Sequence, residues 1–163
     1  MGHTHIGYLG GQEFLADGTL YPDMRKKWFL AVCEKNGIEA LPYIQEGAFT
    51  SESGYRMMKR LLSMERRPSA VFCASDPIAI GALRALQEEG VCVPKDISLM
   101  GFDDINAARF ASPPLTTIQA PAHWMGMYGA SLFHVMGRHQ EPWPIKAVLP
   151  CRLIERDSCQ KTD

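Results

Sequence analysis

Four side chains have the types and positions to hold a polar small molecule: Arg25, Phe49, Ser75 and Asp103. Three of them come just after short apolar runs. Phe49 follows the run ending at Gln45, Ser75 follows residues 70–74, and Asp103 follows residues 97–102. Arg25 opens the first helical pattern. A carboxylate accepts from two neighbouring hydroxyls, a guanidinium donates in several directions, and an aromatic ring covers the apolar face of a pyranose. With the Ser75 hydroxyl, the set suits a sugar-like ligand. Each residue also has a plain structural use. Asp103 can end a strand, Ser75 can belong to a turn, Arg25 can lie solvated, and Phe49 can simply pack. Asp76 reads as a helix cap rather than a ligand group, and Asp104 as the cap of a short helix after it.

Catalytic constellations are not legible. There is no GxSxG elbow, Walker-type phosphate loop or HExxH, and Gly10-Gly11 does not extend to GxGxxG. Asp103 and Asp104 are adjacent carboxylates, but neighbours beyond a strand need not face each other, so they do not argue for acid/base work. The five cysteines include no CxxC pair. Cys33, Cys73 and Cys92 lie in apolar runs and read as buried free thiols, with neither a metal site nor a cofactor expected. Met57, Met58, Met125 and Met127 read as core filler. The chain is not expected to be an enzyme.

The elements that must position the four residues alternate. Residues 6–9 read as a buried strand, and Pro22-Asp23 opens a helix through about Lys35 with apolar positions Met24, Trp28, Phe29, Ala31 and Val32. Residues 41–45 form a strand in this reading, 51–64 a helix, and 70–74 a strand covered on both faces. Asp76-Pro77 starts a helix that ends near Gly90, where a glycine can take the left-handed turn. Residues 97–102 and 115–119 are strands, 106–111 a short helix, 123–136 a helix, and 147–149 with 152–155 two closing strands. This alternation predicts an α/β class with a parallel-sheet, three-layer lobe. Ligands of such sheets bind beyond the carboxyl ends of the strands, where the four residues fall.

The chain has 163 residues, 46% of them hydrophobic and 21% charged, with a formal net charge of −1. That is ordinary for one soluble domain and gives no electrostatic reason for this chain to bind nucleic acid. No apolar run is long enough to span a bilayer, and Met-Gly-His-Thr-His does not open a signal peptide. A cytoplasmic location is expected.

The ordered motifs are more specific than composition. RPSAVFCASD (67–76), IGALRAL (80–86), VPKDIS (93–98), GFDDI (101–105) and PPLTTI (113–118) occur in sequence, preceded by GHTHIGYLGG (2–11) and followed by Leu149-Pro150, Leu153, Arg156 and Ser158. This resembles the effector-binding domain of the lactose-repressor/galactose-repressor family of bacterial transcriptional regulators, over essentially the whole chain. The resemblance implies a fold like the periplasmic sugar-binding proteins, with two lobes clamping a ligand. It implies that residues 1–117 belong to the second lobe, that 118–146 cross over to the first, and that 147–163 return. A helix-turn-helix headpiece and most of the first lobe then lie upstream, and operator DNA is bound only through that headpiece. The family pattern supports ligand roles for Arg25, Phe49, Ser75 and Asp103, with Ser75 standing where relatives often carry Asn.

The resemblance also implies a homodimer. The helix at 77–86 is apolar nearly all round, with Arg84 the exception, which fits either a deep core helix or a subunit interface carrying Ile78 and Leu83. The helix at 123–136 carries Trp124, Met127, Leu132, Phe133, Val135 and Met136 and is expected to pack on a neighbouring chain or fold back on this one. The expected function is sugar sensing in a repressor; a transport-system sugar-binding protein of the same fold is the alternative.

Overall fold

The computed structural model describes residues 2–13, 18, 19, 22–139 and 145–161. The apolar runs become one six-stranded sheet in the order β2-β1-β3-β4-β5-β6. Its strands are β1 (Ile6–Gly11), β2 (Ile44–Gly47), β3 (Ala70–Cys73), β4 (Ser98–Phe102), β5 (Thr116–Gln119) and β6 (Arg152–Ile154). The first five run parallel and β6 is antiparallel to β5. The chain is thus a mixed α/β domain, and its helices are α1 (Met24–Lys35), α2 (Ser51–Leu62), α3 (Asp76–Glu88), α4 (Asn106–Arg109) and α5 (Ala122–His139).

Side chains alternate between the two faces of the sheet, as strand geometry requires. On β1, Tyr8 meets Phe29 of α1 at 5.2 Å between ring centroids, and Phe29 lies 6.1 Å from Phe72 of β3. The neighbouring Gly7 faces Leu61 of α2 instead. α1 therefore covers one face, and α2 with α3 covers the other. α2 is amphipathic: Thr50 caps it by accepting the Ser53 amide at 3.2 Å, and Met57, Met58, Leu61 and Leu62 are buried. The two inner methionines are core filler, as their sequence context suggested.

α2 and α3 meet backbone to backbone. A methyl group on Gly54 would overlap the carbonyl of Ile78, and one on Gly81 would overlap the carbonyl of Ser51. Close approach of two helices at small residues leaves no room for adjustment, because main chain cannot rotate away as a side chain can. Ile78 and Leu83 are 0% and 4% exposed within the single chain. The interface role expected for these two residues is corrected here: they are core, filled by the chain's own packing, and any pairing surface on α3 lies at other positions.

Other expectations shift as well. Residues 41–43 form one 3-10 turn, entered through Pro42, and the strand begins only at Ile44. Residues 147–149 form no strand. On α1 the inward stripe is Arg25, Lys26, Phe29, Leu30 and Cys33, while Trp28 is 63% exposed and Val32 56%. A helix covering one face needs only one stripe, so apolar residues off that stripe point outward. Cys92 is exposed rather than buried. α5 does not fold back: Trp124, Met125, Met127, Tyr128 and Phe133 are all exposed, so Met125 and Met127 are not core residues of this chain. No helix among the described residues is long and apolar enough to cross a membrane.

The close α2–α3 crossing yields a prediction. Gly81→Ala will force the two helices apart and destabilise the fold by about 2 kcal/mol, within the range for overpacking. Urea denaturation followed by circular dichroism measures it, and an unchanged midpoint would contradict the backbone contact.

Candidate functional site: the carboxyl edge of the sheet

Parallel register brings the carboxyl ends of β1 to β5 out at one edge. Leu9 aligns with Cys73, Gly11 with Gly47, and Phe102 with Ile118. The ladder continues just past the strands. The amides of Gln12, Ala74 and Asp103 donate to the carbonyls of Gly47, Leu9 and Ile118, each at 2.8 Å. Ser75 and Asp103 therefore emerge on the same side, as the sequence predicted.

Arg25 ties the edge together. As the second residue of α1 it reaches inward. Its Nη1 donates to the Ala74 carbonyl at 2.8 Å, beside Ser75. Its guanidinium carbon lies 5.0 Å from the Phe49 ring centroid and 5.5 Å from that of Phe102, the residue before Asp103. Arg25 and Phe49 are thus brought into contact, with Ser75 and Asp103 each one residue beyond an Arg25 contact, Ser75 itself being buried. Phe49 is itself held against β1, since a side chain at Gly11 would occupy the space of its ring. Gln12, Pro22, Asp23, Met24, Arg25 and Phe49 line a hollow of about 240 Å³ there. A second hollow of about 390 Å³ runs from Phe102 and Ala120 to Tyr128 and Leu132 of α5.

Asp103 has the clearest sign of a constrained functional position. Its φ is 114°, a left-handed value that costs a side-chain-bearing residue about 1–3 kcal/mol. Its side chain is exposed, and its carboxylate has no hydrogen-bond partner among the described residues. Desolvation by the surrounding wall, and then the charge of Asp76, raises its pKa above the ordinary carboxylate value, with Arg25 pulling the other way. Among the described residues it is an acceptor with no hydrogen-bond donor.

Two neighbouring carboxylates are structural, and neither caps a helix as expected. Asp76 is fully buried, accepting the Thr117 hydroxyl at 2.6 Å and the Ile105 amide at 2.8 Å. It ties α3 to β5 and to the loop after β4, and burial raises its pKa. Ser75 is the cap of α3 instead, accepting the Ile78 amide at 3.4 Å with 4% of its surface exposed. Asp104, also at positive φ, pairs with Arg156 Nη2 at 2.5 Å and accepts from Gln119 Nε2 at 2.7 Å. The helix it was expected to cap begins at Asn106, with Ile105 in the cap position and no side-chain hydrogen bond there.

Sequence reasoning missed two contributors. Tyr8, fully buried, donates its hydroxyl to Asp23 Oδ2 at 2.5 Å. Asp23 Oδ1 accepts from both the amide and Nε of Arg25, each at 3.0 Å. Burial alone would raise the Asp23 pKa, but the hydrogen bonds from Tyr8 and Arg25 outweigh it and hold the carboxyl below its ordinary value. Pro22-Asp23 was readable as a helix start; nothing in the sequence pointed to Tyr8 as its partner.

A profile of the periplasmic binding protein-like domain matches residues 1–159. The chain is 45% identical over 160 residues to the HTH-type transcriptional repressor PurR of Escherichia coli O1:K1, an alignment covering 96% of this chain and 45% of that protein. It is 38% identical over 165 residues to the HTH-type transcriptional repressor MelR of Bacillus subtilis, covering 98% and 47%. Among solved structures, the regulator CelR in complex with cellobiose superimposes with a TM-score of 0.87 at 30% identity, over 96% of this chain and 47% of that one. The chain belongs to the periplasmic binding protein-like domain family, and it is similar to solved LacI-family transcriptional regulators. It spans about half the length of the relatives it matches. The family's fold accounts for the mostly parallel sheet.

The strain at Asp103 can be measured in the LacI-type domain directly. Asp103→Gly relieves the left-handed backbone and will raise stability by about 1 kcal/mol after the entropy cost of glycine. A lower melting temperature for this variant would contradict a strained native aspartate.

Proposed function

We propose that this chain is the effector-sensing part of a LacI-type transcriptional repressor and contributes one wall of a cleft for a small hydroxyl-rich molecule, a sugar or sugar derivative. The observation that carries this reading is the Asp103 carboxylate, held at a costly φ of 114° without a partner among the described residues, on the same rim as the Arg25 guanidinium. In this reading Asp103 accepts ligand hydroxyls, Arg25 donates to ligand oxygens, and Phe49 covers an apolar ring face. Ser75, committed as a cap, offers its hydroxyl proton from the floor of the cleft.

The second wall belongs to the other lobe. Residues 1–117 form the second lobe in this proposal, 118–146 the crossover and 147–163 the return. The exposed apolar surface of α5 supports this division, because burying it on a first lobe removes it from water at about 25 cal/mol per Å². Ligand binding then favours one arrangement of the lobes by its difference in affinity for the two, and operator affinity changes with it. The protein works in the cytoplasm as a homodimer that meets operator DNA through a helix-turn-helix headpiece outside this chain, and it performs no catalysis. The names of the relatives, repressors rather than transport proteins, favour this over the transport alternative.

A thermal-shift screen of sugars on the full-length protein identifies the effector, since ligand binding raises stability by mass action. For the sugar found, Asp103→Asn tolerates the same backbone but loses the charge, and calorimetry will show about a 10- to 150-fold weaker Kd, the equivalent of about 1.5–3 kcal/mol for a charged hydrogen bond. Unchanged affinity would remove Asp103 from the site and the carrying observation with it.

A further inference from the structure

Arg25 is not a free cation. Its Nε is tied to Asp23, which is 6% exposed at the side chain, and Asp23 is in turn held by the buried Tyr8 hydroxyl. Arg25 itself keeps about a third of its side chain open, at 33%. A guanidinium has five N–H donors. Two of them go to Asp23 and to the Ala74 carbonyl, which leaves three for a ligand. The Phe49 and Phe102 rings lie beside the group, their centroids 5.0 and 5.5 Å from its central carbon. Among the described residues of this rim, the Arg25 charge is paired directly with Asp23, while Asp103 has no ion pair and feels Arg25 only through space.

Resting on the sugar-sensing reading, we infer that Asp23, held by Tyr8, is a specificity-determining and positioning residue: it neutralises and orients Arg25, so that the cleft selects an uncharged polyhydroxylated ligand over a phosphorylated or carboxylated one. Two charge relations produce the selection. A ligand anion near Arg25 gains little net attraction, because the adjacent Asp23 cancels most of it. The same anion meets the Asp103 carboxylate across the rim, and like charges in a partly desolvated cleft repel strongly. Hydroxyls meet neither difficulty, since they donate to Asp103 and accept from the three open N–H groups of Arg25. Lys26, the next residue of α1, does not alter the balance. It bridges Glu13, at 2.7 Å, and Glu46. Asp104 is matched by Arg156. Tyr8 matters because a buried hydroxyl donating at 2.5 Å fixes Asp23 in the one orientation that also caps α1 and grips Nε.

The test uses the full-length protein, calorimetry, and matched probes: free aldoses and cellobiose, the 6-phosphates of the aldoses, the corresponding uronic acids, and inorganic phosphate. The wild type is expected to bind a neutral sugar at least tenfold more tightly than its phosphorylated and acidic counterparts, with no response to inorganic phosphate. Asp23→Asn keeps the helix cap but frees the Arg25 charge, and it is expected to narrow that preference tenfold or more. Tyr8→Phe is expected to weaken the neutral sugar about fivefold, with helix content unchanged by circular dichroism. A wild-type preference for the charged counterpart overturns the inference, as does a preference unmoved by Asp23→Asn. A second measurement is independent of any sugar: the 15N resonance of Arg25 Nε–H is expected to be slow to exchange in the wild type and fast in both variants. Fast exchange in the wild type overturns the inference. If no sugar of any charge binds while Arg25 Nε–H exchanges slowly, the sensing reading fails and the Asp23 clamp stands as structure alone.

Discussion

Parallel pairing is the constraint on which the rest of this molecule depends. A strand that runs parallel to its neighbour cannot be joined to it by a tight turn, so the chain must cross a face of the sheet and start again at the same end. In this protein the crossings are made by helices α1, α2 and α3 and by the segment carrying the short α4, and every carboxyl end from β1 to β5 emerges at one edge. Residues separated by up to 78 positions, Arg25 and Asp103, become neighbours without any local sequence relation between them. The proposed site lies at that edge, where the Asp103 amide still bonds the neighbouring strand while its side chain stays exposed.

The edge is rigid where it needs to be. Asp76 fixes the start of α3 to Thr117 and Ile105, and the Asp104–Arg156 pair fixes the loop after β4 to the C-terminal segment. Ser158 adds a further tie, accepting the Thr116 amide at 2.8 Å and donating to the Leu99 carbonyl at 2.6 Å. No buried side-chain polar atom among the described residues lacks a partner, while the Asp103 carboxylate stands exposed at a left-handed φ beside them. A site held in place by its surroundings can keep one group in a costly conformation, and the surroundings bear the strain.

Much of this was legible in the sequence because it rests on local pattern. The continuous apolar run of β3, the Ser-Asp-Pro start of α3 and the Gly after it each have one strong local reading, and the structure follows them. The position of Asp103 after β4 was legible for the same reason. What failed depended on partners distant in the chain. Asp76 reads locally as a cap, yet Thr117 and Ile105 claim its two oxygens and leave capping to Ser75. The all-round apolar α3 fits either a deep core or an interface at Ile78 and Leu83, and only the glycine-mediated contact with α2 explains why they are covered within the chain. Trp28 and Val32 failed in the opposite sense: periodicity shows that α1 has an apolar side but not which stripe the sheet takes. The Tyr8–Asp23–Arg25 chain joins a strand to a helix start 15 residues on, and no spacing rule announces it.

The central claim is that this rim grips a hydroxyl-rich ligand, and a crystal structure of the full-length protein with its most stabilising sugar tests it most directly. The account predicts ligand hydroxyls within hydrogen-bond reach of Asp103 Oδ and the free Arg25 Nη donors, with one face of the ring against Phe49. A sugar seated on the outer face of α1 or along α5, with Asp103 and Arg25 left untouched, would contradict it.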